Sequence, residues 1–514
     1  GNMADSPHFR IGTRGSDLAL WQAHHVRDLI AAAGGTSEII VLSTQGDREQ
    51  VQSFEKLEGK GFFTKEIEDA LLAERIDIAV HSHKDLETQQ PQGLAIVAVP
   101  ERASPRDTLL VRDDQHVSAP WLPLAQGATV GTSSVRRRDQ LLLLRPDLNI
   151  RALRGNVPTR VNRLQEGLYD AIVLAEAGLD RLDLPLAGIV RHSLDHRSFV
   201  PAPAQGALAL QMRETDPKCA FLSALTNPNA QSGVNSERTV LRALEGGCQL
   251  PFGAHWDTQT EQLRCFLQTP AGPRRVLAQN ADAALAQLSS TATFSVLITR
   301  TPRSNSVLSR LANGEGTTLI ETPLVHVRPL SARAVPESWS QSTQDWVWLG
   351  SPGACEAAQS WLRQHTETRI AVPGNGTAEA LAPELLPRLG FVGSGHPAQA
   401  WHAFAASRSA SEHIAIPHGT YSLKRWNTGK TEATLHAWEH YELIPNDQVP
   451  GQSDVVCFTS PSNVNTWQGD RPQKIVAIGP TTAAALAAKE WSCTTAKSPD
   501  AFGLWEAILH AKSS

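Results

Sequence analysis

The sequence predicts a multidomain α/β protein, and three observations carry that expectation. At 514 residues the chain exceeds what a single hydrophobic core holds, so two or more domains are expected. Short apolar runs rich in β-formers alternate with helical patterns along most of the length. No repeat of short fixed period is visible, which disfavours solenoids and propellers and leaves about four to five α/β lobes as the fit to the length.

The elements follow in order. In the first set, a strand at 10–13 precedes an amphipathic helix at 17–33, where Leu18, Val26, Leu29, Ile30 and Ala33 recur at helical spacing and Gly34-Gly35 stops the helix. A strand at 38–43, a helix at 64–75 with Thr64 as its N-cap, and strands at 76–81 and 94–99 complete this set. After Pro105 a second set has strands at 129–131, 149–153 and 170–175 with helices at 134–144 and 158–165. A smaller unit at 236–264 reads as a helix, a Gly-Gly loop and a strand-like tail. The small polar residues 288–293 are the best linker candidate. Beyond them strands are expected at 295–299, 346–349, 370–372, 413–416, 454–458 and 474–478, with helices such as 352–364 and 481–489 between them.

Composition narrows the function. A formal net charge of −5 argues against a general binder of nucleic acid or anionic membranes, so any basic site must be a local cluster. The six cysteines form no C-x-x-C pair and no regular spacing, unlike a disulfide framework or a zinc cluster. With no secretory signal and no long apolar run, a soluble, cytoplasmic protein is expected, with no metal.

Three constellations could carry chemistry. In the first, Arg136, Arg137 and Arg138 follow Gly131-Thr132-Ser133-Ser134, and Arg151, Arg154, Arg160 and Arg163 come soon after. A hydroxyl-rich turn opening a helix offers N–H groups and the positive dipole end to an anion, and guanidinium forks add bidentate recognition. Few acids lie nearby in sequence, which favours a ligand with several negative groups over a solvated helix face; phosphate and carboxylate remain equally open. The second is His81-Ser82-His83-Lys84-Asp85, placed just after an apolar strand, where α/β sheets often position functional groups. Its two histidines alone make weak metal evidence and read as ordinary hydrogen-bonded imidazoles. The third is Glu245-Gly246-Gly247-Cys248, where the glycines could expose a thiol for covalent attachment, although a buried apolar cysteine is the commoner fate.

Together these constellations resemble the porphobilinogen deaminase (hydroxymethylbilane synthase) family. The matching stretches are Thr13-Arg14-Gly15-Ser16 with Leu18-Ala19-Leu20-Trp21-Gln22-Ala23, Gly59-Lys60-Gly61-Phe62-Phe63-Thr64-Lys65-Glu66, residues 79–85, residues 131–137, Leu153-Arg154-Gly155-Asn156-Val157, and residues 244–251. They span roughly the first 290 residues. The resemblance implies two hinged α/β lobes, like periplasmic binding proteins, plus a small α+β domain. Residues 3–104 with 205–222, then 105–204, then 223–290 are the expected domains. It also implies a dipyrromethane cofactor, made from substrate and thioether-linked to Cys248. Asp85, with Lys84 beside it, would hydrogen-bond pyrrole N–H groups and stabilise the cation left when ammonia departs. Cofactor and substrate carboxylates would be held by Arg14, Ser16, Lys84, Thr132, Ser134, Arg136, Arg137, Arg154 and Arg160, with Arg181 a further candidate. Two departures stand out: Leu86-Glu87 replaces the family's usual Val-Pro, and His83 stands where Met is common.

From about Ser295 the chain resembles uroporphyrinogen-III synthase, through Val296-Leu297-Ile298-Thr299-Arg300, Phe458-Thr459-Ser460-Pro461-Ser462 and Ala477-Ile478-Gly479-Pro480-Thr481-Thr482. That implies a two-lobed α/β module, one lobe from 295–328 with 450–514 and the other from 329–449. Tyr441 would assist departure of the terminal hydroxyl, with Thr459, Ser460, Thr481 and Thr482 on substrate. For Tyr441 a packed aromatic with a surface hydroxyl is an equal reading. The combined expectation is a monomeric bifunctional enzyme that turns porphobilinogen into a linear tetrapyrrole and closes it to uroporphyrinogen III. Fusion has a chemical rationale, since the linear intermediate closes spontaneously to the wrong isomer and tethering raises its local concentration. The alternatives are a deaminase with a degenerate structural or regulatory second half, and a two-lobed anion-binding protein without catalysis.

Overall fold

The computed structural model describes residues 6–43, 64–245, 250–290, 293–303, 306–330, 339, 343–447 and 449–514. Cys248 and most of the stretch Gly59–Glu66, up to Phe63, lie outside the described residues. Among the described residues the strands form five sheets.

The first sheet has the strand order Thr36–Val41, His8–Thr13, Ile78–Ser82, Leu208–Arg213, Leu94–Ala98. The second runs Asn149–Arg151, Thr129–Gly131, Ala171–Ala175, Asp107–Arg112, Ile189–Ser193. In each, one strand is antiparallel to both neighbours: Leu208–Arg213 in the first and Asp107–Arg112 in the second. Each of these is the first strand the chain forms after crossing from the other lobe. Two crossing segments therefore join two lobes of the same strand order, and ligands in such sheets bind between the lobes, beyond the carboxyl ends of the parallel strands.

Local rules place the elements that frame this cleft. The helix Asp17–Ala32 is capped by Ser16, whose Oγ accepts from the Ala19 N–H at 3.3 Å. Thr64 does not play the expected capping role. It sits in helical geometry with no capping bond from its side chain, and the helix runs only Lys65–Leu72. The strand expected at 38–43 lies two residues earlier, at Thr36–Val41, and the one expected at 76–81 starts two residues later, at Ile78–Ser82.

The third unit is a helix, Pro228–Leu244, over a three-stranded antiparallel sheet, Phe252–Asp257, Gln262–Thr269 and Gly272–Ala278, closed by the helix Ala281–Ser289. The helix begins earlier than the expected 236, because Asn227 caps it and Pro228 occupies its first turn.

The remaining two sheets form the second half. One is parallel throughout, in the order Thr318–Glu321, Ser295–Ile298, Val455–Phe458, Ile475–Ala477, Thr494–Thr495. The other has six strands, and Val325–Pro329 belongs to it, antiparallel to Thr434–Pro445, rather than to the first synthase lobe as expected.

The halves are packed, not merely tethered. Leu288 lies in a helix and is buried, so the linker expected at 288–293 begins inside structure. One apolar core runs from Leu141 and Val173 through Phe266 to Phe294, Phe502 and Trp505. Arg264 pairs with Glu506 at 2.7 Å and Arg274 with Glu315 at 2.9 Å across the junction. Gly314 permits the closest approach: a Cβ there would lie 1.7 Å from the Pro273 carbonyl oxygen. Among the described residues no helix is long and apolar enough to cross a membrane.

Candidate active site

The strand Ile78–Ser82 ends in a single 3-10 turn, His83–Asp85, which leaves Asp85 exposed and Lys84 half-buried at the cleft between the first two lobes. Buried His81 takes a 2.8 Å hydrogen bond with Gln211, while Nδ1 of buried His83 has no partner among the described residues. Desolvation pushes the two imidazoles down to about 4 and about 3, so both are neutral at pH 7. His81 thus fits the expected hydrogen-bonded histidine, and His83 does so less fully.

Lys84 Nζ donates to Gln205 Oε1 at 3.3 Å, and Gln205 Nε2 donates to Asp107 Oδ1 at 3.1 Å. Asp107 in turn receives Arg136 at 2.8 Å and Arg137 at 2.9 Å. This corrects the expectation that the arginine band lacks acidic partners. Asp107 is fully buried, and the Arg136 and Arg137 guanidiniums hold its carboxyl well below the ordinary range. Arg136 also donates to the Val200 carbonyl at 2.7 Å, so much of its fork is engaged in holding the lobe together.

Arg137 also acts on the cations beside it. Lys84 is pushed down to about 8 by desolvation and next by the charge of Arg137. Arg160 is pushed down to about 10 by the same two causes, and its Nε donates to the Gly155 carbonyl at 2.7 Å. Arg181 donates to the Gly206 carbonyl at 3.0 Å and stands 5.6 Å over the ring of Trp21, joining the two lobes. Arg14 is half-buried just past the strand His8–Thr13, and Arg154 is exposed.

The hydroxyls shape the turn. Thr132 Oγ1 accepts from the Ser134 N–H at 3.2 Å, and Ser134 Oγ caps the helix Val135–Leu144 by accepting from the Arg137 N–H at 3.2 Å. Each hydroxyl still has its own proton to offer an anion.

Sequence reasoning missed Arg238. From the helix Pro228–Leu244 its guanidinium donates to the carbonyls of His83 (3.3 Å), Leu86 (3.2 Å) and Glu87 (2.8 Å). Two turns later, at the helix C-cap, Glu245 accepts from Thr88 at 2.5 Å. The helix that leads to Cys248 is thereby fastened to the turn carrying Asp85. Glu87, one of the two departures, points its charge to solvent and contributes its carbonyl, and Leu86 is buried. Gln205 was also missed, although Pro203-Ala204-Gln205-Gly206 carries a turn signal. Gly206 has φ +86°, and a Cβ there would lie 2.6 Å from the Ser104 carbonyl oxygen.

In the second half a cleft of about 1530 Å³ opens between the two lobes. Tyr441, Thr459 and Ser460 line it, together with Ser351, Arg303 and Asn463, which the sequence did not single out. Tyr441 is buried with its hydroxyl 3.3 Å from Ser351 Oγ, and desolvation raises its pKa. Thr459 Oγ1 donates to the Thr299 carbonyl at 2.6 Å, and Ser460 Oγ caps the next turn by accepting from Asn463. Thr481 is exposed and Thr482 buried, and neither lines this cleft. Arg303 is pushed down to about 10 by desolvation and then by Arg300.

Comparisons with known proteins agree along the chain. The family profile for the porphobilinogen deaminase, dipyromethane cofactor binding domain matches residues 9–220, and that for the porphobilinogen deaminase C-terminal domain matches residues 232–287. The profile for uroporphyrinogen-III synthase HemD matches residues 306–506. A porphobilinogen deaminase of Acidithiobacillus ferrooxidans is 46% identical over 277 residues, which is 53% of this chain and 88% of that protein. One from Syntrophobacter fumaroxidans is 45% identical over 249 residues, 48% of this chain and 79% of its own. A solved uroporphyrinogen-III synthetase from Helicobacter pylori aligns over 42% of this chain and 99% of its own, at 12% identity and a TM-score of 0.29. With both enzyme families matched, neither the non-catalytic nor the degenerate-module alternative is favoured. The chain belongs to the porphobilinogen deaminase family and carries a uroporphyrinogen-III synthase domain behind it, which makes it a bifunctional enzyme of tetrapyrrole biosynthesis.

Proposed function

We propose that the first half carries a dipyrromethane cofactor on Cys248 and extends it with porphobilinogen, and that the cleft of the second half closes the released hydroxymethylbilane with inversion of its last ring. The observation that carries this reading is the gathering of Lys84 and Arg160 about the buried Arg137, where desolvation and then the charge of Arg137 disfavour both cations. Cations disfavoured by burial and by a neighbouring guanidinium are stabilised by an anionic ligand, and a pyrrole chain brings acetate and propionate groups. The donor chemistry therefore fits the cofactor. When bound, that group supplies a nucleophilic pyrrole carbon and the anchor for the growing chain.

The protein's own residues do the rest. Asp85, exposed at the end of its turn, accepts hydrogen bonds from pyrrole N–H groups and offsets the positive charge that develops as ammonia leaves porphobilinogen. Lys84, Arg137 and Arg160 hold carboxylates, with the hydroxyls of Ser16, Thr132 and Ser134 and with Arg14, Arg154 and Arg181 along the cleft. Arg136 is chiefly the brace that keeps Asp107 and Arg137 in place. In the second cleft Arg303 holds a carboxylate, and Tyr441 donates to the departing hydroxyl, its proton retained by burial.

Intact-mass measurement tests the anchor. The purified chain should carry a dipyrrole adduct that maps to Cys248 and lengthens when porphobilinogen is added. An active chain with an unmodified Cys248 would overturn this reading.

A further inference from the structure

The wall of the synthase cleft is not made by the synthase alone. Trp121, Leu124 and Arg145 of the second deaminase lobe also line it. They belong to, or support, the loop 117–125, and that loop touches both synthase lobes. The Ser118 hydroxyl donates to the Gly390 carbonyl at 2.9 Å, and the Trp121 backbone N–H donates to Asn375 Oδ1 at 2.8 Å; both acceptors belong to the six-stranded-sheet lobe. The Trp121 ring meets Phe502 of the other lobe edge-on, with centroids 5.4 Å apart at 87°.

The loop is built stiff. Arg145 is held by Asp147 at 2.8 Å, and its guanidinium donates to the carbonyls of Leu122 (3.3 Å), Leu124 (2.9 Å) and Ala125 (3.2 Å). Trp121 itself sits at φ +68°, a conformation that bulky residues avoid unless their surroundings impose it. The chain crosses between the synthase lobes in short segments near 322–325 and 446–454, and the Val307 N–H donates to Glu379 at 3.4 Å between them, so a hinge motion between the lobes is the default. A site formed between two such lobes works only at one separation, because groups on both walls must reach the same substrate.

We propose that the loop 117–125 of the deaminase half straps the two synthase lobes together and sets the width at which hydroxymethylbilane closes, so that Ser118, Trp121 and Asn375 are positioning residues for ring closure. The proposal rests on the ring-closing reading of this cleft. It makes the synthase a composite of both halves, with the second lobe of the deaminase as a fixed part of its architecture.

The test uses the full chain with hydroxymethylbilane supplied in solution. The double variant Ser118→Ala/Asn375→Ala should raise the KM for hydroxymethylbilane about tenfold, the loss of two hydrogen bonds, with a smaller fall in kcat. The share of type III ring should fall, and porphobilinogen consumption should stay as in the parent. Ser118→Thr, which keeps the donor, should restore most of the KM when combined with native Asn375. Trp121→Ala provides a second route and should raise KM in the same direction. Parent-like KM and isomer ratio in both the double variant and Trp121→Ala would overturn the strap. A parent chain that makes no type III ring from added hydroxymethylbilane would instead overturn the ring-closing reading beneath it.

Discussion

Arg238 donates from Nη2 to the Glu87 carbonyl at 2.8 Å, and this bond ties the helix leading to Cys248 to the turn that carries Asp85. The two residues proposed to carry the chemistry of the first half come from segments more than 150 positions apart, and the Arg238 fork ties the helix before one to the turn of the other. Burial pushes this guanidinium down to about 10, so it remains a cation over the working range and can be tested as a brace.

Arg238→Met keeps the length of the stem and removes the fork. Porphobilinogen consumption should fall about tenfold or more, as expected when a reacting group loses its alignment. Ring closure of added hydroxymethylbilane should be unchanged, since that cleft shares none of these contacts. Parallel assays of the two half-reactions check it.

Asp85→Asn should nearly abolish porphobilinogen turnover and leave the thermal unfolding midpoint close to that of the parent, because Asp85 is exposed. Near-normal turnover would remove Asp85 from the chemistry.

Lys84 sets a pH limb. Its pKa lies below the ordinary lysine value, at about 8, so it is cationic below that pH and neutral above it. Loading of the cofactor-free chain by porphobilinogen, followed by intact mass, should therefore slow as pH rises through about 8. Lys84→Arg, which stays charged, should flatten that limb.

Asp107→Asn leaves Arg136 and Arg137 buried without their counter-charge and should destabilise the second lobe by about 3–5 kcal/mol in urea unfolding. The sign with pH follows from the depressed carboxyl. Its contribution is fully present above the ordinary carboxylate pKa and is lost as pH falls below it toward the native value. Acid should therefore destabilise the parent more steeply than the variant.

What the sequence made legible was local or carried by motif. The helix Asp17–Ala32 with its stop at Gly34, the capped start at Ser134, and the turn after the strand Ile78–Ser82 follow from periodicity, capping and strand-end rules. Recognition of both enzyme families rested on short runs in a fixed order. What escaped was made by distance along the chain. Asp107, on a strand, meets Arg136 and Arg137 on the helix Val135–Leu144, 29 and 30 positions away. Arg238 reaches carbonyls 151 to 155 positions away, which carry no side-chain signature at all. The strands Asp107–Arg112 and Leu208–Arg213 become sheet members only because the chain crosses between lobes. Thr481 and Thr482 came from a motif match alone, and local structure puts one in solvent and the other in the core. Likewise the junction of the halves looked like a linker because its residues are small and polar, whereas Phe294, just beyond, is buried in the shared core.

The most direct test of the whole account is the ring isomer that the purified full chain makes from porphobilinogen alone. Uroporphyrinogen III as the main product is the predicted result, since it requires both halves to work in sequence. Exclusive formation of the type I ring would show a linear tetrapyrrole closing without the second site, and would contradict the account.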